Sequence, residues 1–139
     1  MKISGWLYLF VLILFSCKEN TQSQLEHLTG YWEISAVKQG NEVIKTFGVS
    51  PTIDYIEISG KHGFRKKLQV DLLGNFKANP TLETIEVAII DGEVILNYTT
   101  AFSSWSEVVV SATRQELTVE NEANLTYTYK RYKPLDLKP

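Results

Sequence analysis

The chain has 139 residues, a net charge of −2, one cysteine and two histidines. So small a charge argues against nucleic acid as a partner, because phosphate binding needs a clearly basic face. One cysteine cannot build a disulfide framework, so the fold must be held by an apolar core.

Residues 3–15 form an apolar run interrupted only by Ser4 and Gly5, with Lys2 before it and Lys18-Glu19-Asn20 beyond it. A membrane span needs about 20 apolar residues. The run is shorter, and it has the basic start, apolar core and small final residue of an export signal. Leu14-Phe15-Ser16-Cys17 resembles the lipobox of bacterial lipoproteins. The resemblance implies a signal over residues 1–16, a cut after Ser16 and diacylglycerol on the Cys17 thiol. Removal of residues 1–16 takes one of 14 basic residues and none of 16 acids, leaving 123 residues at a charge of −3. Residues 17–24 are polar, lack an apolar period and read as a lipidated tether. The implied location is the cell envelope, at the outer membrane, with either face open.

Leu25 and Leu28 are spaced for one helical turn, which would cap the end of a barrel. From residue 31 the apolar period becomes two. Trp32, Ile34 and Ala36 share one face of a strand over 31–38, and Gln39-Gly40-Asn41 turns the chain. The connection to Pro51 reads as irregular. Strand 52–59 carries Ile56 and Ile58 on one face, and Gly60 to Gly63 make the next turn. Phe64, Leu68 and Val70 then alternate with Arg65, Lys67 and Gln69, which places the basic residues on the outer face.

Residues 82–90 present Ile85, Val87 and Ile89 together, and Asp91-Gly92 is a type I′ hairpin signal. Val94, Leu96 and Tyr98 line one side of the returning strand. Val108, Val110 and Ala112 mark the next strand, and Leu117 and Val119 the one after it. The last strand runs over 125–132, with Leu125, Tyr127, Tyr129 and Arg131 on one face. The short turns favour antiparallel neighbours. About eight such strands close into an all-β up-and-down barrel and so remove their edges; a β-sandwich is the alternative.

Gly30-Tyr31-Trp32 resembles the Gly-x-Trp pattern that opens the first strand of lipocalins. Arg131 stands where lipocalins place an arginine across that tryptophan. Residues 25–133 therefore resemble the lipocalin-like lipoproteins common in Bacteroidota, followed by a tail over 134–139. Gly30, Trp32 and Arg131 are the structural signature that the resemblance implies. The connection over 39–51 resembles the lipocalin loop that folds across the cup mouth.

An eight-stranded barrel is either filled by side chains or holds one small ligand. In a cup, Tyr98, Tyr127 and Tyr129 would add hydroxyls to an apolar lining that includes Ile56, Leu68, Leu96 and Val110. Such a lining suits a small apolar or amphipathic molecule. A filled barrel would instead be an interaction module that meets an envelope protein or glycan through its loops. His27 and His62 lack a second ligand at metal spacing. No nucleophile elbow or paired-acid pattern points to catalysis, and no cofactor is implied. Oligomeric state is not legible.

Overall fold

The computed structural model describes residues 20–133; the segment expected to be an export signal, Cys17 and residues 134–139 lie outside the described residues. The elements are α1 (Thr21–Leu28), β1 (Gly30–Gln39), β2 (Glu42–Thr46), β3 (Thr52–Ser59) and β4 (His62–Val70). They continue as β5 (Phe76–Ile90), β6 (Glu93–Thr99), β7 (Ser104–Ala112), β8 (Glu116–Asn121) and β9 (Leu125–Arg131).

Strands β3 to β9 pair in sequence order, and β1 pairs with β3 on one side and β9 on the other. The β1–β9 ladder, from Trp32↔Arg131 to Gln39↔Leu125, closes an eight-stranded antiparallel barrel of the up-and-down kind. It is a barrel and not a sandwich because the first and last strands meet. Asp91 and Gly92 have φ of 51° and 77°, as a type I′ hairpin requires.

Two local expectations are corrected. The helix starts a full turn before Leu25: Asn20 accepts a bond from the Gln22 amide at 3.0 Å and caps it, so Thr21 to Gln24 are helix and not tether. In the first connection, residues 42–46 are not irregular but form β2, which among the described residues pairs only with β1.

The closed end of the barrel is built from the two chain ends. Trp32 is fully buried and donates from its indole nitrogen to the Leu28 carbonyl at 2.9 Å. The Arg131 guanidinium lies 3.7 Å from the centre of the Trp32 ring. It also donates to the carbonyls of Thr29 and His27, each at 3.0 Å, and of Arg114 at 2.9 Å. Orphan carbonyls at the C-terminus of α1 are thus met by a cation, which also suits the helix dipole.

Four register shifts interrupt the sheet, and those in the β1–β9 and β7–β8 pairs decide which barrel residues point inward. The β1–β9 register shifts between Ile34 and Ala36, so Val37 takes the buried place expected for Ala36. The β4–β5 register shifts between Lys66 and Leu68, and the β7–β8 register between Val109 and Ser111. In the β1–β9 and β7–β8 pairs one extra residue breaks the period of two, whereas in the β4–β5 pair residues 79–81 stand opposite Lys67 alone and the phase is kept.

Candidate functional site

An apolar core packs inside the barrel. Trp32, Leu28, Ile56, Ile85, Val94, Leu96, Tyr98, Leu117 and Val119 belong to one core cluster, each at most 3% exposed. Charge sits among them. Arg65 is buried on the inner face, paired in register with Ile56 on one side and Glu83 on the other. Its guanidinium bonds Glu83, reaches Glu107 at 3.4 Å and lies 4.3 Å from the centre of the Tyr98 ring. Lys67 pairs with buried Asp54 at 3.1 Å. The outward placement of Arg65 is therefore overturned. A buried guanidinium is tolerated because carboxylates and a ring face surround it.

This cluster has a definite electrostatic order. Burial works against the charge on Arg65, but Tyr98, Glu83, Asp54 and Glu107 outweigh it and hold the guanidinium protonated. Burial pushes the Glu107 carboxyl above its ordinary range, with Arg65 pulling the other way. Burial also raises the Tyr98 and Tyr129 hydroxyls. Within the cluster the charges pair with one another.

The second feature lies on the outer wall. Tyr31 and Tyr55 face outward with ring centres 4.7 Å apart. Phe76, at the start of β5, stacks on Tyr31 at 5.3 Å and meets Tyr132 edge-on at 6.0 Å. Strands β3 and β4 separate β5 from β1 in the sheet. For Phe76 to reach Tyr31, the β4–β5 hairpin must fold back over the outside of the barrel as an arm.

A groove of about 1040 Å³ opens between this arm and the outer wall. Val70, Asp71, Leu72 and Gly74 of the arm form one side; Val49, Ser50 and Pro51 form the floor nearby. Glu33, Lys130, Tyr132 and Lys133, with Arg114 and Gln115 from the β7–β8 turn, form the other side. The arm tip holds its shape through Asp71, which accepts from the Leu73 and Asn75 amides at 2.9 and 2.8 Å. The backbone bond from Asn75 is the main cause of an Asp71 pKa below its ordinary value. Glu33 fixes the floor by accepting from the Ser50 amide at 2.9 Å.

The residues expected to line a cup do not converge on this groove. Ile56, Leu96, Tyr98 and Tyr129 lie in the packed core, and Tyr127 packs against it. Leu68 pairs with Ile53, one step out of phase with the inward Ile56–Arg65 pair, and so lies on the outer layer. Val110 is half-exposed because Val109 points inward beside the β7 bulge. Ile89 is exposed as well. Arg131 lies over the Trp32 ring and against Gly30. Sequence periodicity missed Arg65, Glu83 and Glu107 because a charged residue was assigned to water. Among the described residues, no group of three or more His, Cys, Asp or Glu side chains is placed to hold a metal.

No protein-family model matches the chain, and no curated protein matches it. Among solved structures, apocrustacyanin C1 superposes with a TM-score of 0.49 at 9% identity. The superposition covers 86% of this chain and 72% of that one. The barrel assignment rests on the closed strand register and not on this likeness.

Proposed function

We propose that this protein is a lipid-anchored binding protein of the cell envelope, held at the outer membrane through Cys17, that takes up a small amphipathic molecule. The observation that carries the binding half is the groove, whose volume of about 1040 Å³ lies near the upper end for small-molecule sites. With the interior occupied by side chains, the ligand belongs outside the barrel, between arm and wall. The anchor half rests on the lipobox resemblance: a lipoprotein cysteine carries two or more acyl chains, and more than one chain is what lasting attachment requires.

Native mass spectrometry of the full-length protein, purified from the membranes of its own host, tests both halves. The expected result is an acylated chain with a co-purifying small amphiphile that Leu72→Asp removes. Cys17→Ser should abolish acyl labelling and detergent-phase partition. Retained label in that variant refutes the anchor, and a ligand-free wild type refutes the binding role.

One observation favours a second reading as an interaction module. Among the described residues, strand β2 pairs only with β1, and its Val43 and Ile44 are half-exposed, so its other edge could take a partner strand. A stoichiometric envelope protein in the same preparation, with no small molecule, would decide for that reading.

A further inference from the structure

The charge balance of the groove points to a class of ligand, on the premise that the groove is the binding site. Its walls carry Arg114, Lys130, Arg131 and Lys133 against two acids, Glu33 and Asp71. Both acids are engaged. Asp71 is held by amides within its own turn, and Glu33 takes the Ser50 amide and lies 3.9 Å from Lys130. Arg131 bonds only carbonyl groups among the described residues, so no carboxylate offsets its charge. The side chains of Arg114 and Lys133 have no acidic partner among the described residues. Val49, Pro51, Val70 and Leu72 line the same groove. Val49 and Leu72 are 86% and 94% exposed, an apolar surface left to water unless something covers it.

We propose that the groove binds a single-chain amphipathic anion, with its head group on Arg114 and Lys133 and its alkyl chain along Val49, Pro51, Val70 and Leu72. A carboxylate or a phosphate monoester suits a groove that offers both a guanidinium and an ammonium. A chain laid against the arm shields the apolar wall from water without entering the packed barrel. A neutral amphiphile would bring the two cations no counter-charge, and a cationic one would be repelled by them.

Photolabelling tests this. The full-length protein in nanodiscs of a zwitterionic phospholipid is irradiated with a diazirine-bearing dodecanoate, and labelled peptides are mapped. Label is expected on residues 49–51 and 70–74. Dodecanoate or dodecyl phosphate should compete, and whichever competes at lower concentration separates a fatty carboxylate from a phosphorylated lipid as the source. Dodecanol should compete about tenfold more weakly, the cost of one charge-assisted contact. Arg114→Glu combined with Lys133→Glu should cut labelling by about tenfold or more on the same ground, while Lys61→Glu at the far β3–β4 turn should not. Equal competition by dodecanol, or labelling unchanged in the double variant, overturns the anion assignment and leaves the groove as a site. Label confined to the barrel interior, or none at all, overturns the groove itself.

Discussion

Arg65 leaves bulk water and Arg131 does so in part, and the two are accommodated in opposite ways. Arg131 spends its donors on carbonyls and its face on Trp32, so it knits the closing strand to α1. That packing leaves no room at Gly30, where an added Cβ would fall 2.1 Å from an Arg131 nitrogen and where φ is +143°. Gly30→Ala should therefore displace Arg131 and cost about 1–3 kcal/mol, the range for a lost charged hydrogen bond or a strained backbone. Trp32→Ala should cost more, about 3–5 kcal/mol, because it empties a fully buried site; an unchanged melting temperature would show that Trp32 is not the plug. Arg65 is balanced by carboxylates instead, and this makes stability depend on pH. The folded Glu107 carboxyl has a raised pKa, so it keeps its proton at pH values where the unfolded chain has lost it. Its contribution is most favourable below the unfolded value of about 4.3 and declines as pH rises through the folded value. Glu107→Gln should remove that decline. Urea unfolding at several pH values between about 4 and 7 should show the variant gaining on the wild type as pH rises; parallel curves would deny the burial of a titrating Glu107.

At the scale of the elements, turns and closure were legible and local phase was not. The Gly-x-Trp and terminal arginine pair announced which strands must meet, because an indole needs a lid and closure needs a first and a last strand. Asp91-Gly92 announced its hairpin because few residue pairs accept two positive φ angles. The bulges had no such signal. Val108-Val109-Val110 is apolar throughout, so alternation cannot say which of the three points inward; the bulge chooses Val109. On β4, Arg65 and Leu68 are both buried although an odd number of steps separates them, and they occupy opposite faces of the sheet. A period of two assumes that one face is always wet, and here the folded-back arm supplies the outer wall with a second layer. The register also explains Gly63, which faces the β3 backbone so closely that a Cβ would lie 2.1 Å from the Glu57 carbonyl oxygen. Gly63→Ala should push β3 and β4 apart and cost about 1–3 kcal/mol in chemical denaturation, as strained substitutions do. An unaffected midpoint would mean that the hairpin yields without loss.

On the scale of the whole molecule, the barrel and the arm have separate jobs and separate sources of stability. The barrel is a closed wall around a continuous core, fixed at one end by Trp32 and Arg131. The arm is anchored from outside, chiefly by Phe76 between Tyr31 and Tyr132, and these contacts touch none of the core. A binding surface built this way can open without unfolding its support, as low-stability segments around ligand sites commonly do. Phe76→Ala separates the two. It should leave the melting temperature nearly unchanged, a global effect within about 0.5–1 kcal/mol as for surface sites. It should speed amide exchange across residues 70–76, because the arm loses the aromatic contacts that press it to β1. Ligand capture in the groove should fall by about tenfold, since the apolar wall that shares the groove with Arg114 and Lys133 would no longer be held in place. Trp32→Ala gives the opposite pattern, with a large fall in melting temperature and, in the fraction still folded, an intact arm. If Phe76→Ala instead lowers the melting temperature as far as Trp32→Ala, arm and barrel unfold as one unit, and the groove is part of the core's cooperative structure and not a site laid upon it.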